Sequence, residues 1–219
     1  MPAATEATIV LIFTTAFVIG FSGALMPGPL LARTISETAR YGFWAGPLLT
    51  FGHGILELAL VVALALEFSQ FVEGDLVPSI IGLVGGLVLI GMGLAMARQG
   101  WQKTPIPVVK SVTIAQNRAL VLSGVLVSLS NPYWFIWWAT IGAAYLVWSL
   151  KLGVAGVASF FTGHILADMT WYALVAFIIA TGRKIISDTT YSWLLLACGF
   201  ALAGLGGYFV ASGIGFLID

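Results

Sequence analysis

Two short strings place ionisable side chains where the surrounding sequence has none. Gly52-His53 is followed by Glu57, and Gly163-His164 by Asp168, the acid standing four residues after the histidine each time. Residues i and i+4 share a helix face, so each imidazole stands beside a carboxylate. His53 and His164 are the only histidines in the chain, and both pairs fall near the middle of long apolar stretches, 41–66 and 152–182. A carboxylate at mid-depth in a bilayer costs several kcal/mol unless paired or hydrated, and such residues are normally retained for function. An acid and an imidazole shielded from water are suited to exchanging a proton in each turn of a cycle, as a proton-coupled carrier requires. Two other uses fit the same side chains. They could converge on a divalent cation, because imidazole and carboxylate together suit zinc, manganese or iron. They could equally form a neutral hydrogen bond joining two helices.

Backbone chemistry marks two further places. Pro27-Gly28-Pro29 cannot be ordinary helix: proline removes an amide donor, and the residue before each proline is pushed out of α geometry. Asn131-Pro132 does the same inside an uncharged run, 119–150, that is too long for one straight span. Broken helices expose carbonyls and amides to which a carboxylate or ammonium group can bind, which makes Pro27, Gly28, Pro29, Asn131 and Pro132 candidate substrate contacts. A simple kink or a helix end at the interface is the alternative. Tyr133, Trp134, Trp137 and Trp138 follow the second break, and Trp171 and Tyr172 follow Asp168. Their composition reads first as an interfacial aromatic belt and second as a wall of the substrate site, the role assigned to Trp134. Arg33 reads as a snorkelling anchor, with neutralisation of a substrate carboxylate as the alternative.

The elements that must carry these residues follow from hydropathy and charge placement. The chain is 60% hydrophobic and 8% charged, with a mean hydropathy of +1.04, far from a water-soluble domain. Its charges leave six stretches nearly free of them, 7–32, 41–66, 76–97, 119–150, 152–182 and 189–218. Each reaches the roughly 20 residues that cross a hydrocarbon core of about 30 Å as a helix. The runs do not alternate in polarity, so the expected class is all-α with six transmembrane helices, not a barrel. The N-terminal apolar run exceeds a signal-peptide core and is expected to be retained as the first span. Arg33, Arg40, Arg98, Lys103, Lys110, Arg118, Arg183 and Lys184 fall on one side of a six-span chain and Lys151 on the other. The positive-inside rule makes the first side cytoplasmic and both termini extracytoplasmic, in a multi-pass protein of the inner (cytoplasmic) membrane. The basic cluster around the middle loop is a topological signal, and no nucleic-acid partner is expected. Cys198 stands alone and excludes a dithiol redox pair. No hydrolase pattern, nucleophile–base pair or cofactor motif is present, so neither an enzyme nor a cofactor is expected.

The chain also repeats itself. The two Gly-His-x-x-x-acid strings occupy spans 2 and 5, and an offset of 113 aligns Gly86, Gly91 and Gly93 in span 3 with Gly199, Gly204 and Gly206 in span 6. Breaks fall in spans 1 and 4. The resulting division is a first three-helix repeat over 1–98 (spans about 8–32, 42–66 and 77–97), a cytoplasmic linker over 99–117 containing Pro105 and Pro107, and a second repeat over 118–219 (spans about 119–149, 153–182 and 190–217). Three spans per copy is odd, so the copies enter the membrane from opposite sides, the inverted-topology plan of many secondary transporters. The glycine-rich helices are suited to close packing, and a homodimer through them is a further expectation.

Met26-Pro27-Gly28-Pro29, Ser130-Asn131-Pro132-Tyr133-Trp134 and Gly163-His164-Ile165-Leu166-Ala167-Asp168 with Trp171-Tyr172 together resemble the LysE/RhtB group of amino-acid exporters over nearly the whole chain. The resemblance implies efflux of an amino acid or related small metabolite, driven by the proton gradient. The wider superfamily implied by it includes divalent-metal carriers, which keeps His53, Glu57, His164 and Asp168 open as metal ligands, and membrane thiol–disulfide proteins, against which the single cysteine argues. A channel or structural membrane protein is the reading of a different class.

Overall fold

A computed structural model describes residues 2–66, 76–106, 113–182 and 187–218, and the regular structure among them is helical throughout. The order is α1 (Pro2–Ala24), α2 (Pro29–Tyr41), α3 (Ala45–Ala65), α4 (Leu76–Trp101), α5 (Ile114–Leu129), α6 (Pro132–Trp137), a π-helical turn (Trp138–Gly142), α7 (Ala143–Leu150), α8 (Gly153–Gly182) and α9 (Asp188–Ile218). Helix satisfies every backbone donor and acceptor within its own segment, the condition for placing such apolar sequence in lipid. Among the described residues five helices are long and apolar enough to cross a membrane, and there are six if α5 with α6–α7, bent by 67° at the Asn131-Pro132 break, is counted as one broken span. Of the basic residues used to orient the chain, Lys110, Arg183 and Lys184 lie outside the described residues, as does Pro107.

The first span differs from the expected 8–32. Its apolar helix stops at Ala24, and the 19 residues from Glu6 already rise about 28 Å. Residues 25–28 are non-helical, because a proline disfavours helical geometry in the residue before it, and Gly28 ahead of Pro29 is extended at φ −137° and ψ −179°. Helix then restarts at Pro29, which suits the first helical position since no intrahelical donor is needed there. This α2 is amphipathic and not a span. It buries Leu30, Ala32, Thr34, Ile35, Glu37 and Thr38, while Arg33 pairs with Glu37 at 3.2 Å and donates through Nε to Ser123 Oγ at 3.0 Å. Gly42, at φ 80°, turns the chain into α3. The second half is opened by a capping box, Thr113 with Gln116, at the start of α5.

Helix α1 packs on α8, α3 on α5, and α4 on α9. Exchanging the first three spans for the last three interchanges the first two contacts and returns the third to itself, as an approximate two-fold relation requires. The close approaches obey the same exchange. A Cβ on Gly163 of α8 would stand 2.5 Å from the Phe13 carbonyl of α1, and one on Gly52 of α3 would run into the Val121 carbonyl of α5. Between α4 and α9, Gly86 meets the Gly206 backbone and Gly93 meets the Gly199 backbone. Those four glycines are therefore used within the chain, and the described glycines that remain open for a subunit contact on these helices are Gly91, Gly204, Gly207 and Gly215.

Candidate functional site

The pairing of α3 with α8 brings the two His–acid strings into one cluster. His53, Glu57, His164 and Asp168 are 7%, 1%, 3% and 3% exposed, so none of them is paired by water at the protein surface. Glu57 is the centre. Its Oε1 accepts the indole N–H of Trp134 at 3.0 Å and of Trp138 at 2.8 Å, and lies 3.2 Å from Nε2 of both histidines. Asp168 Oδ2 stands 3.6 Å from His53 Nε2 and 3.5 Å from His164 Nε2. The far side of His53 is anchored, since Nδ1 lies 2.7 Å from Ser128 Oγ, which itself donates to the Gly124 carbonyl at 2.7 Å. The far side of His164 is not: its Nδ1 has no hydrogen-bond partner and faces Gly20, where a Cβ would stand 3.1 Å away. Trp137 stacks on the His164 ring at 4.4 Å and donates to Ser22 Oγ at 3.0 Å.

The two breaks meet beside this cluster. A Cβ on Gly28 would lie 3.3 Å from Asn131 Nδ2, while Asn131 Oδ1 caps α6 by accepting from the Tyr133 amide at 3.2 Å. A cavity of about 40 Å³ is lined by Leu30 after the first break, Asn131, Tyr133 and Trp134 after the second, and by all four His–acid side chains. Each water needs roughly 10–15 Å³ by this measure, so the space holds about three waters and not an amino acid. Of the residues expected at the substrate site, Gly28 meets Asn131, and Asn131 and Trp134 line the cavity. Pro27, Pro29 and Pro132 do not line it; they set the backbone, and Pro132 packs on Gly85 of α4.

The interfacial-belt reading of the aromatics is corrected. Trp134, Trp137 and Trp138 are 7%, 3% and 3% exposed, and two of them spend their N–H groups on Glu57. Trp134 and Trp138 are i, i+4 and face the core together, the π-helical turn beginning at the second of them. Ser128 is a site residue that the sequence does not single out, whereas Trp138 and Tyr172, read first as belt aromatics and second as a substrate wall, stand at the cluster. Ser128 is one of three serines, with Ser123 and Ser130, in the run before Asn131, and nothing in the sequence sets it apart from the other two.

One carboxylate or imidazole atom from each of His53, Glu57 and Asp168 lies within 4.8 Å of the other two, so this donor set could also take a metal ion as cargo. The one hydroxyl seen beside a base in the cavity, Ser128 Oγ against His53 Nδ1, gives its proton to the Gly124 carbonyl and not to the imidazole, and the arrangement suits binding and release of a small charged solute.

Comparison with known proteins agrees with a transport role. A Bacillus subtilis (strain 168) protein named "Putative amino acid efflux protein YcgF" is 24% identical over 204 residues, covering 93% of this chain and 97% of its own. The "Chemotactic transduction protein ChpE" of Pseudomonas aeruginosa is 24% identical over 217 residues, covering 90% and 96%. No solved structure matches. The profile of the LysE type translocators, transporters and not enzymes, matches residues 21–213, nearly the whole helical assembly with both breaks and both His–acid strings, and the chain belongs to that family.

Proposed function

We propose that this translocator exports an amino acid or a related small metabolite across the cytoplasmic membrane in exchange for protons, by alternating access around the cavity between its two halves. The observation that carries the reading is the meeting of the two breaks, Gly28 against Asn131, beside two buried acids in a cavity shared by both halves. The exchange symmetry of the helix contacts supports an inverted repeat that rocks about this centre. The excess of basic residues supports cytoplasmic middle loops and extracytoplasmic termini. In this reading Glu57 and Asp168, with His53 and His164, are the proton-responsive gates, and the free amide of Asn131 with the broken backbone takes the cargo. The name of the Bacillus relative favours an amino acid as that cargo.

A second reading, export of a divalent cation, rests on the three-residue donor set of His53, Glu57 and Asp168. One experiment separates them. The purified protein is reconstituted in liposomes holding a pH-sensitive dye, and gradients of pooled amino acids or of Mn²⁺, Zn²⁺ and Cd²⁺ are imposed. The export reading expects saturable proton movement with amino acids that is lost in Glu57→Gln and in Asp168→Asn. A response to metals alone selects the second reading, and variants with unchanged rate and pH dependence remove the gating roles.

A further inference from the structure

In the inverted repeat proposed above, the helices that follow the two breaks are counterparts closing the cavity from opposite faces of the membrane, yet they are held in unlike ways. Helix α2 leaves the cavity at Leu30 and runs toward Arg40 and Gly42, packed on α3, α5 and α8, while α6 leaves it at Tyr133 and Trp134 and continues through the π-helical turn and α7 toward Lys151. Among the described residues, side chains of the α6 lid make four hydrogen bonds to other helices, from Trp134 and Trp138 to Glu57, from Trp137 to Ser22 Oγ and from Tyr133 to the Ser22 carbonyl. Side chains of α2 make one, from Arg33 Nε to Ser123 Oγ of α5 at 3.0 Å. The buried polar atoms are equally uneven. Six of them lack a hydrogen-bond partner among the described residues; three belong to Glu57, His164 and Asp168, and the others are Thr34 Oγ1, Thr38 Oγ1 and Trp171 Nε1. Thr34 and Thr38 share one face of α2 at 0% exposure, and a Cβ on Gly46 of α3 would stand 3.4 Å from Thr34 Cγ2. Trp171 of α8 packs on the cluster that joins Leu30 of α2 to Ala45 and Leu49 of α3. A buried polar atom without a partner is rare and needs a reason. Here three of them fall on one seam, between α2 and the helices α3 and α8.

We propose that this seam is the entrance through which cargo reaches the cavity from the cytoplasm, and that Arg33 with Ser123 is the latch holding α2 shut across it. The inference rests on the export reading for the direction of loading and names the gate that reading requires. The cavity, at about 40 Å³, admits no amino acid until one of its lids moves. When α2 swings away, the bond to Ser123 is the side-chain bond that breaks, and Thr34, Thr38 and Trp171 become the polar lining of a wet vestibule. Arg33 stays paired throughout, because Glu37, 3.2 Å from its guanidinium and 4% exposed, sits on the same helix and travels with it. Opening therefore strips no buried charge of its partner, which would be the costly step. The non-helical residues 25–28 and Gly42, at φ 80°, flank α2 and serve as its hinges. The opposite lid is tied to Glu57 itself, so its release depends on the state of that acid, whereas the latch on α2 does not. Neither Arg33 nor Ser123 lines the cavity, and both act on transport through the position of α2.

The test needs no cargo. Thr38→Cys is placed in the full chain together with Cys198→Ser, which removes the native cysteine, and its reaction with a membrane-impermeant maleimide is timed in right-side-out and in inverted membrane vesicles. The expected result is reaction from the cytoplasmic face that becomes about three- to tenfold faster when Ser123→Ala is added, the weight of one charge-assisted hydrogen bond discounted for the 42% exposure of the Arg33 side chain. Ser123→Thr, which keeps the hydroxyl, should restore the slow rate. Ser149→Cys, at a position 0% exposed on α7 of the opposite lid, reports general loosening and should keep its own rate. An unchanged rate at Thr38→Cys, acceleration from the extracytoplasmic face, equal acceleration at both cysteines, or the same acceleration with Ser123→Thr as with Ser123→Ala would overturn the gate; should Thr38→Cys not fold, Thr34→Cys takes its place. Faster labelling without amino-acid transport in liposomes sinks the export reading and leaves the gate standing; transport with labelling indifferent to Ser123 does the reverse.

Discussion

Gly28 and Asn131 stand face to face across the two helix breaks, with room between them for a hydrogen and not comfortably for a methyl group, since a Cβ on Gly28 would lie 3.3 Å from Asn131 Nδ2. The backbone of Gly28 is extended, a conformation any residue adopts, so it is space and not dihedral strain that excludes a side chain. Gly28→Ala is expected to move Asn131 by a few tenths of an ångström and to slow transport mildly. Gly28→Leu wedges the breaks apart, and displacement of a positioning group on that scale costs about tenfold or more in rate. Counterflow in proteoliposomes checks the pair, with circular dichroism showing unchanged helix content. Equal rates for Leu and Gly would separate the breaks from the transport path.

How much of this was readable beforehand depended on whether a residue's role is carried by its type or by its neighbours. His53, Glu57, His164 and Asp168 were legible because an ionisable group in an apolar run is costly wherever the helix goes. The breaks were legible because proline acts on its own backbone. The indole N–H bonds of Trp134 and Trp138 were not, because a tryptophan beside a helix end looks the same whether it faces headgroups or a buried carboxylate. Ser128 was invisible for the same reason, its partner lying 75 residues away on another helix. The interruption of the first span was legible at Pro27–Pro29, but α2 was not legible as a separate element, because residues 25–32 are as apolar as the helix before them.

Trp138 and Glu57 form a bond whose strength depends on the charge of the acceptor. A hydrogen bond to a charged group is worth about 1.5–3 kcal/mol and one between neutral groups about 0.5–1.5 kcal/mol. Trp138→Phe deletes the donor to Glu57 and also shrinks the buried ring that meets Phe160 edge-on, a packing loss common to both backgrounds. The hydrogen-bond share of its cost in unfolding stability is therefore expected to be about twofold larger beside Glu57 than in a Glu57→Gln background. Thermal unfolding of the four proteins of the cycle measures the difference. Identical costs in both backgrounds would mean that Glu57 is not held as an anion by the indoles.

Ser128 makes the two histidines inequivalent, and the chain is well suited to seeing it because it has two histidines in all. In ¹⁵N-imidazole spectra, His53 is expected as the Nδ1–H form and His164 as the Nε2–H form, the latter because its Nδ1 has no partner and its Nε2 lies against Glu57. Ser128→Ala removes the acceptor from one ring alone, leaving a buried donor unpaired at a cost of about 1–3 kcal/mol. The His53 signals should move and the His164 signals should stay. Movement of both, or of neither, would show that the anchor does not set the proton position.

The glycines of α4 and α9 separate packing within the chain from packing between chains. A Cβ on Gly86 would lie 2.7 Å from the Gly206 carbonyl, and one on Gly199 would lie 2.6 Å from the Gly93 carbonyl, whereas Gly91 and Gly204 meet nothing within 4 Å. In the inverted repeat proposed above, Gly86 is the counterpart of Gly199 and Gly91 of Gly204. Gly86→Ala and Gly199→Ala should thus destabilise alike, by about 1–3 kcal/mol for a methyl forced into a closed contact. Gly91→Ala and Gly204→Ala should be neutral or gain up to about 1 kcal/mol of helix propensity. Melting temperature and elution volume in mild detergent read both at once. If the outer pair proves destabilising and also halves the apparent mass, the open face of these helices is occupied by a second copy of the chain, and the reserve of small residues left over from the internal contact has been used to make a dimer.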